Sequence, residues 1–181
     1  MTKADLIAAI GPVVQVAFVP EDFDDALAHW TNTMGIGPFF WIEHAGLVNA
    51  TFEGQPSDVD FGLALAYWGD IQVELIKQHN TAPSIYNTAP YATSGLHHIC
   101  LITDDIADAR TKADASNARR VVEAELPGGG AVFYAETRSG EPLVEVLQSP
   151  PGSDGLFDMI KSAAVGWDGS DPLRPLGQSD Q

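Results

Sequence analysis

Positive charge is scarce in this chain: nine Lys and Arg stand against 25 Asp and Glu, a net charge of −16 over 181 residues. Phosphate backbones are held by clustered Lys and Arg, so this balance excludes a nucleic-acid partner. It also disfavours long-range steering of anionic substrates, leaving at most a local Lys or Arg for such a group. Cysteine is nearly absent. The single Cys100 rules out an intrachain disulfide framework and fits a reducing compartment, so the cytoplasm is the expected location. No apolar run reaches the length of a membrane span. The N-terminus lacks the charged, apolar and cleavable succession of a signal peptide, and no membrane partner is expected. Familiar catalytic signatures are missing too. There is no Gly-x-Ser-x-Gly elbow and no His-Glu-x-x-His helix, which removes the usual hydrolase and metalloprotease readings. Gly128-Gly129-Gly130 has neither a following Lys nor a strand-to-helix context, and reads as a flexible loop. An apolar fraction of 45% with 19% charged residues describes a globular chain able to bury a core.

What the chain does have is an internal repeat. Gln15 to Ala26 (QVAFVPEDFDDA) aligns without a gap on His98 to Ala109 (HICLITDDIADA). Each copy later runs into a short apolar strand carrying one carboxylate, Val73-Glu74-Leu75 and Val144-Glu145-Val146. A repeat of this length marks a structural unit used twice.

The first unit reads as a strand over Val13–Val19, a helix from Phe23 to about Met34 capped by Asp22, and four more strands. Those strands are 39–44, 48–52, 61–68 and 71–77, with the pairing of 48–52 left open. A linker spans Gln78–Ser94, with a helical turn expected at Ser84–Tyr86. The second unit repeats the order with a strand from His97 to Thr103, a helix from Asp105 to about Ser116, and strands at 120–123, 130–136 and 142–147. From Gln15 to Glu74 the chain advances 59 residues, but from His98 to Glu145 only 47. The surplus is assigned to a loop insertion near Gly54–Asp60. An amphipathic helix follows over about 154–165, capped near Asp154, free to pack on the domain, cover a pocket or make a subunit contact. A turn at Trp167-Asp168-Gly169 leads into a polar, loosely ordered tail over 171–181. The expected organisation is one domain over 1–170, with module one at about 12–80 and module two at about 95–150.

Strand parity decides which polar groups share a face. If Val14 and Val16 pack under a helix, Gln15 points away from it, and the same argument turns His98 away from Ile99 and Leu101. Glu74 and Glu145 are each flanked by apolar neighbours in the same way. Four lone polar residues therefore occupy repeat-related places on the faces opposite the helices. Burying two carboxylates there without a partner costs several kcal/mol each, of the order of ~3 or more. A divalent cation resolves this. Imidazole nitrogen and carboxylate oxygens suit Zn, Ni, Co, Mn or Fe, and an amide carbonyl can complete the set. Cys100 shares the parity of His98 but reads as a small buried thiol. His97 has the opposite parity and reads as a residue at the strand edge or behind the ligands. His44 and His79 lie near strand ends, and Phe39, Phe40, Trp41, Trp68 and Tyr86 belong to the core or to an apolar pocket wall.

Several motifs carry a resemblance to a known family: Gly35-Ile36-Gly37-Pro38-Phe39, Gly69-Asp70-Ile71-Gln72-Val73-Glu74-Leu75-Ile76, Pro83-Ser84-Ile85-Tyr86, Gly95-Leu96-His97-His98-Ile99 and Gly166-Trp167-Asp168-Gly169. Over roughly residues 12–170 the chain resembles the vicinal oxygen chelate superfamily, and more narrowly a bacterial glyoxalase-like family. The resemblance implies an α+β fold, in which two βαβββ modules form a cupped mixed β-sheet around a divalent metal ion. By position it implies Gln15, Glu74, His98 and Glu145 as metal ligands, with Glu145 and Glu74 as the catalytic pair and Glu145 as the preferred base. It implies a metal-dependent lyase or isomerase that moves a proton next to a chelated oxygen pair, and a homodimer. Gln15, where dioxygenases and many epimerases have His, weakens an extradiol dioxygenase reading. A catalytically silent ligand-sequestering protein on the same fold is the alternative. The scarcity of Lys and Arg gives no glutathione or CoA clamp, and the aromatic strands point to an apolar or aromatic small molecule.

Overall fold

The computed structural model describes residues 2–176. After two short 3₁₀ turns, the first unit runs β1 (Val13–Phe18), α1 (Phe23–Ala28), β2 (Phe39–Ile42), β3 (Val48–Phe52), β4 (Gln55–Pro56), β5 (Phe61–Trp68) and β6 (Ile71–Gln78). The second runs β7 (Leu96–Ile102), α2 (Ile106–Ala115), β8 (Arg119–Glu125), β9 (Ala131–Glu136) and β10 (Leu143–Gln148), followed by α3 (Ser153–Ala164) and β11 (Leu173–Pro175). Asp22 caps α1 by accepting from the Asp25 N–H, and Asp105 caps α2 by accepting from Ala107 and Asp108. The expected helix from Phe23 to Met34 is α up to Ala28 and then widens into a π turn over His29–Thr33.

All strands join one mixed sheet in the order β11-β2-β5-β6-β1-β7-β10-β9-β8-β3-β4. Within it, β1-β6-β5-β2 and β7-β10-β9-β8 repeat one arrangement, so each unit is a βαβββ module. The modules meet where β1 pairs antiparallel with β7. The two halves of a single chain thus close on each other. The helices lie on the outer face: Phe23 of α1 packs with Phe39 and Leu75 of the sheet, and Leu101, Phe133 and Val146 pack under α2.

The strand at 48–52 does not belong to module one. It crosses to the far edge of module two and pairs antiparallel with β8, Val48 opposite Glu125 and Phe52 opposite Val122. The insertion is therefore longer than the Gly54–Asp60 loop expected from sequence, and includes β3 and β4. Because β2 and β8 are the outer strands of their modules, the connections on either side of this hairpin span the open side of the cup. Gly46, on one connection, lies close enough to the Pro127 ring that a Cβ there would sit 3.1 Å from it.

Helix α3 lies over the cup. Leu156, Ile160 and Ala163 pack against Phe40 and Leu65 on β2 and β5. Burying Ile160 alone contributes roughly 1.5–3 kcal/mol. The cap of α3 is Gly152 at φ +88 with no side-chain hydrogen bond, and Asp154 sits inside the first turn rather than at the cap. The tail is ordered as far as it is described. Trp167 lies against Gly37, where a Cβ would clash with its ring, and β11 adds to β2 in parallel. Residues 177–181 of the expected tail lie outside the described residues.

Gly128, Gly129 and Gly130 all have positive φ and form the β8–β9 turn, closed by Gly129 N–H donating to the Leu126 carbonyl at 3.1 Å. This is a defined turn, not a slack loop. At Gly130, φ is +101 and a Cβ would run into the Gln148 carbonyl. Gly130→Ala is expected to cost about 1–3 kcal/mol in urea unfolding. Gly155, in open space on α3 with a helical backbone, gives the opposite sign, with Gly155→Ala stabilising by about 0.5–1 kcal/mol. Equal effects at both positions would contradict this account.

Candidate metal centre

The four repeat-related residues lie on β6, β1, β7 and β10, which are consecutive neighbours at the middle of the sheet. Their registers form two rungs on the concave face. One rung reads Leu65, Glu74, Ala17, His98, Leu143, and the next reads Gln72, Gln15, Cys100, Glu145, Tyr134. Parity thus places all four on one face, as the sequence implies. Ala17, fully buried between Glu74 and His98, is small enough to leave the space between their side chains open.

Glu74, His98 and Glu145 each offer one atom within 4.8 Å of the others. The His98 Nε2 lies 3.3 Å from Glu74 Oε2 and 3.2 Å from Glu145 Oε2, yet has no hydrogen-bond geometry to either. Gln15 donates its Nε2–H to Gln72 Oε1 at 2.6 Å, which leaves its own Oε1 buried without a hydrogen-bond partner. The Tyr134 hydroxyl donates to the second oxygen of Glu145 at 3.1 Å. All these groups are buried, with His98 fully inaccessible.

The electrostatics follow from that burial. Desolvation of His98 favours its neutral form, but the carboxylates of Glu145 and then Glu74 outweigh it and hold its pKa up at about 9. Burial raises Glu74 above the ordinary carboxylate range, partly offset by His98. Burial, and then the neighbouring His98, push His97 down to about 4. The donor set consists of one imidazole nitrogen, two carboxylates and an unpartnered amide oxygen. It fits a divalent cation, whose charge the two carboxylates balance, and the two orphaned atoms, His98 Nε2 and Gln15 Oε1, belong to that set.

Above these residues opens a cavity of about 420 Å³. Its floor includes Gln15, Glu74, Cys100 and Glu145; its walls are largely apolar, with Leu47 from the insertion and Leu156 and Phe157 from α3. Among the described residues, Lys161 is the one cationic side chain in its lining, and it is paired with Asp70 at 2.6 Å. The structure leaves other sequence candidates outside this space. His44 pairs with Asp60 at 2.7 Å, and His79 bonds the Glu43 carbonyl at 2.8 Å. Phe39 packs under α1, and Trp68 is exposed on the surface. Sequence reasoning missed Gln72 and Tyr134 as partners of the site. Gln72 shares the parity of Glu74 and was legible on that ground; Tyr134 becomes adjacent to Glu145 only through the β9–β10 register.

Because His98 holds a proton up to about pH 9 in the metal-free protein, a cation binding at pH 7.5 must displace it. Calorimetry in buffers of different ionisation enthalpy is expected to show release of about one proton per Zn or Co bound. The His98→Gln variant should lose that release. The raised pKa also carries a stability sign. It stabilises the metal-free fold fully below the unfolded value of about 6.5, and the contribution fades as pH rises through the folded value. Metal binding without proton release would contradict the pairing of His98 with the carboxylates.

Comparison with known proteins agrees with this architecture. In fold the chain is similar to the hypothetical protein BH1468 from Bacillus halodurans C-125, with TM-score 0.50, 13% identity, and coverage of 76% of this chain and 94% of that one. It is also similar to a Streptomyces coelicolor methylmalonyl-CoA epimerase variant in complex with 2-nitronate-propionyl-CoA, with TM-score 0.51, 14% identity, and coverage of 78% and 96%. At these identities the likeness is one of fold. A curated relative, the uncharacterized protein YwbC of Bacillus subtilis (strain 168), is 43% identical over 58 residues, 31% of this chain and 46% of YwbC. The match thus spans about half the length of that relative. The family model of the glyoxalase/bleomycin resistance protein/dioxygenase superfamily matches residues 14–135, from within β1 to within β9, and the chain belongs to that superfamily.

Proposed function

We propose that this chain is a metal-dependent lyase or isomerase that moves a proton at the carbon beside two neighbouring oxygens of a small, largely apolar organic substrate. The observation that carries this reading is the convergence of Glu74, His98 and Glu145 at the foot of an apolar cavity. Gln15, Glu74, His98 and Glu145 would hold the ion, which could be Zn, Ni, Co, Mn or Fe. When bound, a divalent cation supplies Lewis-acid stabilisation of negative charge developing on the substrate oxygens.

Glu145 is assigned as the base. Its Oε1 rests on the Tyr134 hydroxyl, a group that donates to a carboxylate and accepts from a carboxylic acid. Both protonation states are therefore held without rearrangement. Glu74, whose proton affinity burial raises, is placed to exchange the proton from the other side of His98. The apolar walls keep water from competing for that proton. Since Lys161 is already paired with Asp70, the cavity offers no clamp for a polyanionic carrier, and the CoA ligand of the epimerase neighbour is not carried over. A single His among the four residues disfavours the two-His, one-carboxylate iron site of a dioxygenase. The cytoplasm is assigned on the single buried thiol of Cys100, and a homodimer is the proposed assembly. Among the described residues, no helix is long and apolar enough to cross a membrane.

The test is solvent exchange. Metal-loaded protein is placed in D₂O with a panel of small 2-hydroxycarbonyl compounds, and C–H to C–D exchange is followed by proton NMR. Wild type is expected to exchange at least one member. Glu145→Gln, shown by elemental analysis to hold the cation, should be slower by roughly 10²–10⁴-fold. Tight binding with no exchange would replace this reading by the ligand-sequestering one. A protein that takes up no cation would sink the site assignment itself.

A further inference from the structure

The inter-module linker and the histidine preceding His98 have no role in the chemistry above, yet both end at the metal centre. Between Ala17 and Phe18, β1 advances one residue while β7 steps back two, from His98 to Leu96, leaving His97 as the unpaired residue of a bulge. Bulges re-aim side chains, and this one sets the His97 ring beside that of His98, with the two Nδ1 atoms 2.9 Å apart. On its other side His97 Nε2 lies 3.0 Å from the Ile85 carbonyl. Both rings are buried to 1% exposure or less. A carbonyl only accepts, so His97 Nε2 carries the hydrogen. An imidazole that gives its one N–H to the Ile85 carbonyl through Nε2 presents Nδ1 as an acceptor. The hydrogen between the rings must come from His98 Nδ1. That leaves His98 Nε2 as the atom free to coordinate, facing Glu74 and Glu145.

We propose that His97 is a positioning residue for the metal ligand His98, holding its Nδ1–H tautomer, and that the linker sets His97 through the Ile85 carbonyl; this rests on the metal-site reading. The linker is built to hold that carbonyl still. Ser84 donates its hydroxyl to Gln78 Oε1 at 2.8 Å and its N–H to Asn87 Oδ1 at 3.0 Å, while the Tyr86 N–H donates to Ser84 Oγ at 2.9 Å. Ile85 itself is buried in the concave core with Phe61 and Tyr86. The Pro83-Ser84-Ile85-Tyr86 segment thus anchors, through His97, a ligand on the next strand, β7, without touching substrate. The general rule is that a ligating imidazole needs an acceptor on its other nitrogen, and losing that acceptor weakens metal binding about 10–100-fold.

The test compares wild type, His97→Phe and His97→Gln. Metal affinity is measured by competition with a chromophoric chelator, and ring protonation by ¹⁵N-detected NMR of labelled histidines. Wild type is expected to show hydrogen on His98 Nδ1 and none on His97 Nδ1. His97→Phe, which cannot accept, should bind Zn or Co about 10–100-fold more weakly, and His97→Gln, whose amide oxygen can accept, should recover most of that loss. An unprotonated His98 Nδ1 in wild type overturns the proposal, as does unchanged affinity in folded His97→Phe. If His97→Phe does not fold, the wild-type NMR decides. If wild type binds no metal, the metal-site reading falls, and the protonation pattern still tests the clamp.

Discussion

Two carboxylates buried within 4 Å of one imidazole nitrogen are the constraint around which this molecule is arranged. Neither charge is cheaply left alone in a desolvated interior, so the centre calls for a proton on His98, a cation in its place, or protonation of Glu74, whose proton affinity burial raises. The surrounding sheet serves that requirement. Four neighbouring strands deliver one polar side chain each to a common face, with the helices and their apolar packing confined to the other. The small side chains of Ala17 and Cys100 separate the polar residues in their rungs and keep the space between them free.

The same geometry explains why the cavity has an apolar character in a protein with so much negative charge. Apart from Glu74 and Glu145, most acidic residues lie exposed on the surface. The space above the centre is walled by the concave faces of the strands, by the insertion that spans the mouth, and by α3. Substrate oxygens would meet the cation and the substrate body would meet apolar side chains. On the proposed function, selectivity would then rest on shape and on the vicinal oxygens rather than on charge recognition.

Alternation along each strand was enough to read Gln15, Glu74, His98 and Glu145 as a set, because a period of two in a half-buried strand admits one assignment of faces. The repeat then made the four positions equivalent. Gln72 obeys the same parity and could have been read with them. Tyr134 could not, since its neighbour on β10 depends on how the β9–β10 hairpin registers; for His97 parity gave the strand edge or a place behind the ligands, and the bulge that interrupts the alternation sets its orientation. The strand at 48–52 shows the same limit at larger scale. Its residues specify a strand but not a partner, and its partner is 70 or so residues further on, at β8.

What the amino-acid sequence by itself determined is the local periodicity, the duplication and the sidedness of each strand, all consequences of short-range sterics and of apolar residues seeking one face. The tertiary structure alone decided the long-range choices. It closed the two modules of one chain on each other, sent the insertion across the mouth, laid α3 over the cup and brought the linker carbonyl to His97. Those choices depend on which surfaces meet in space, and a contact between residues distant in sequence leaves no period in the sequence to be read.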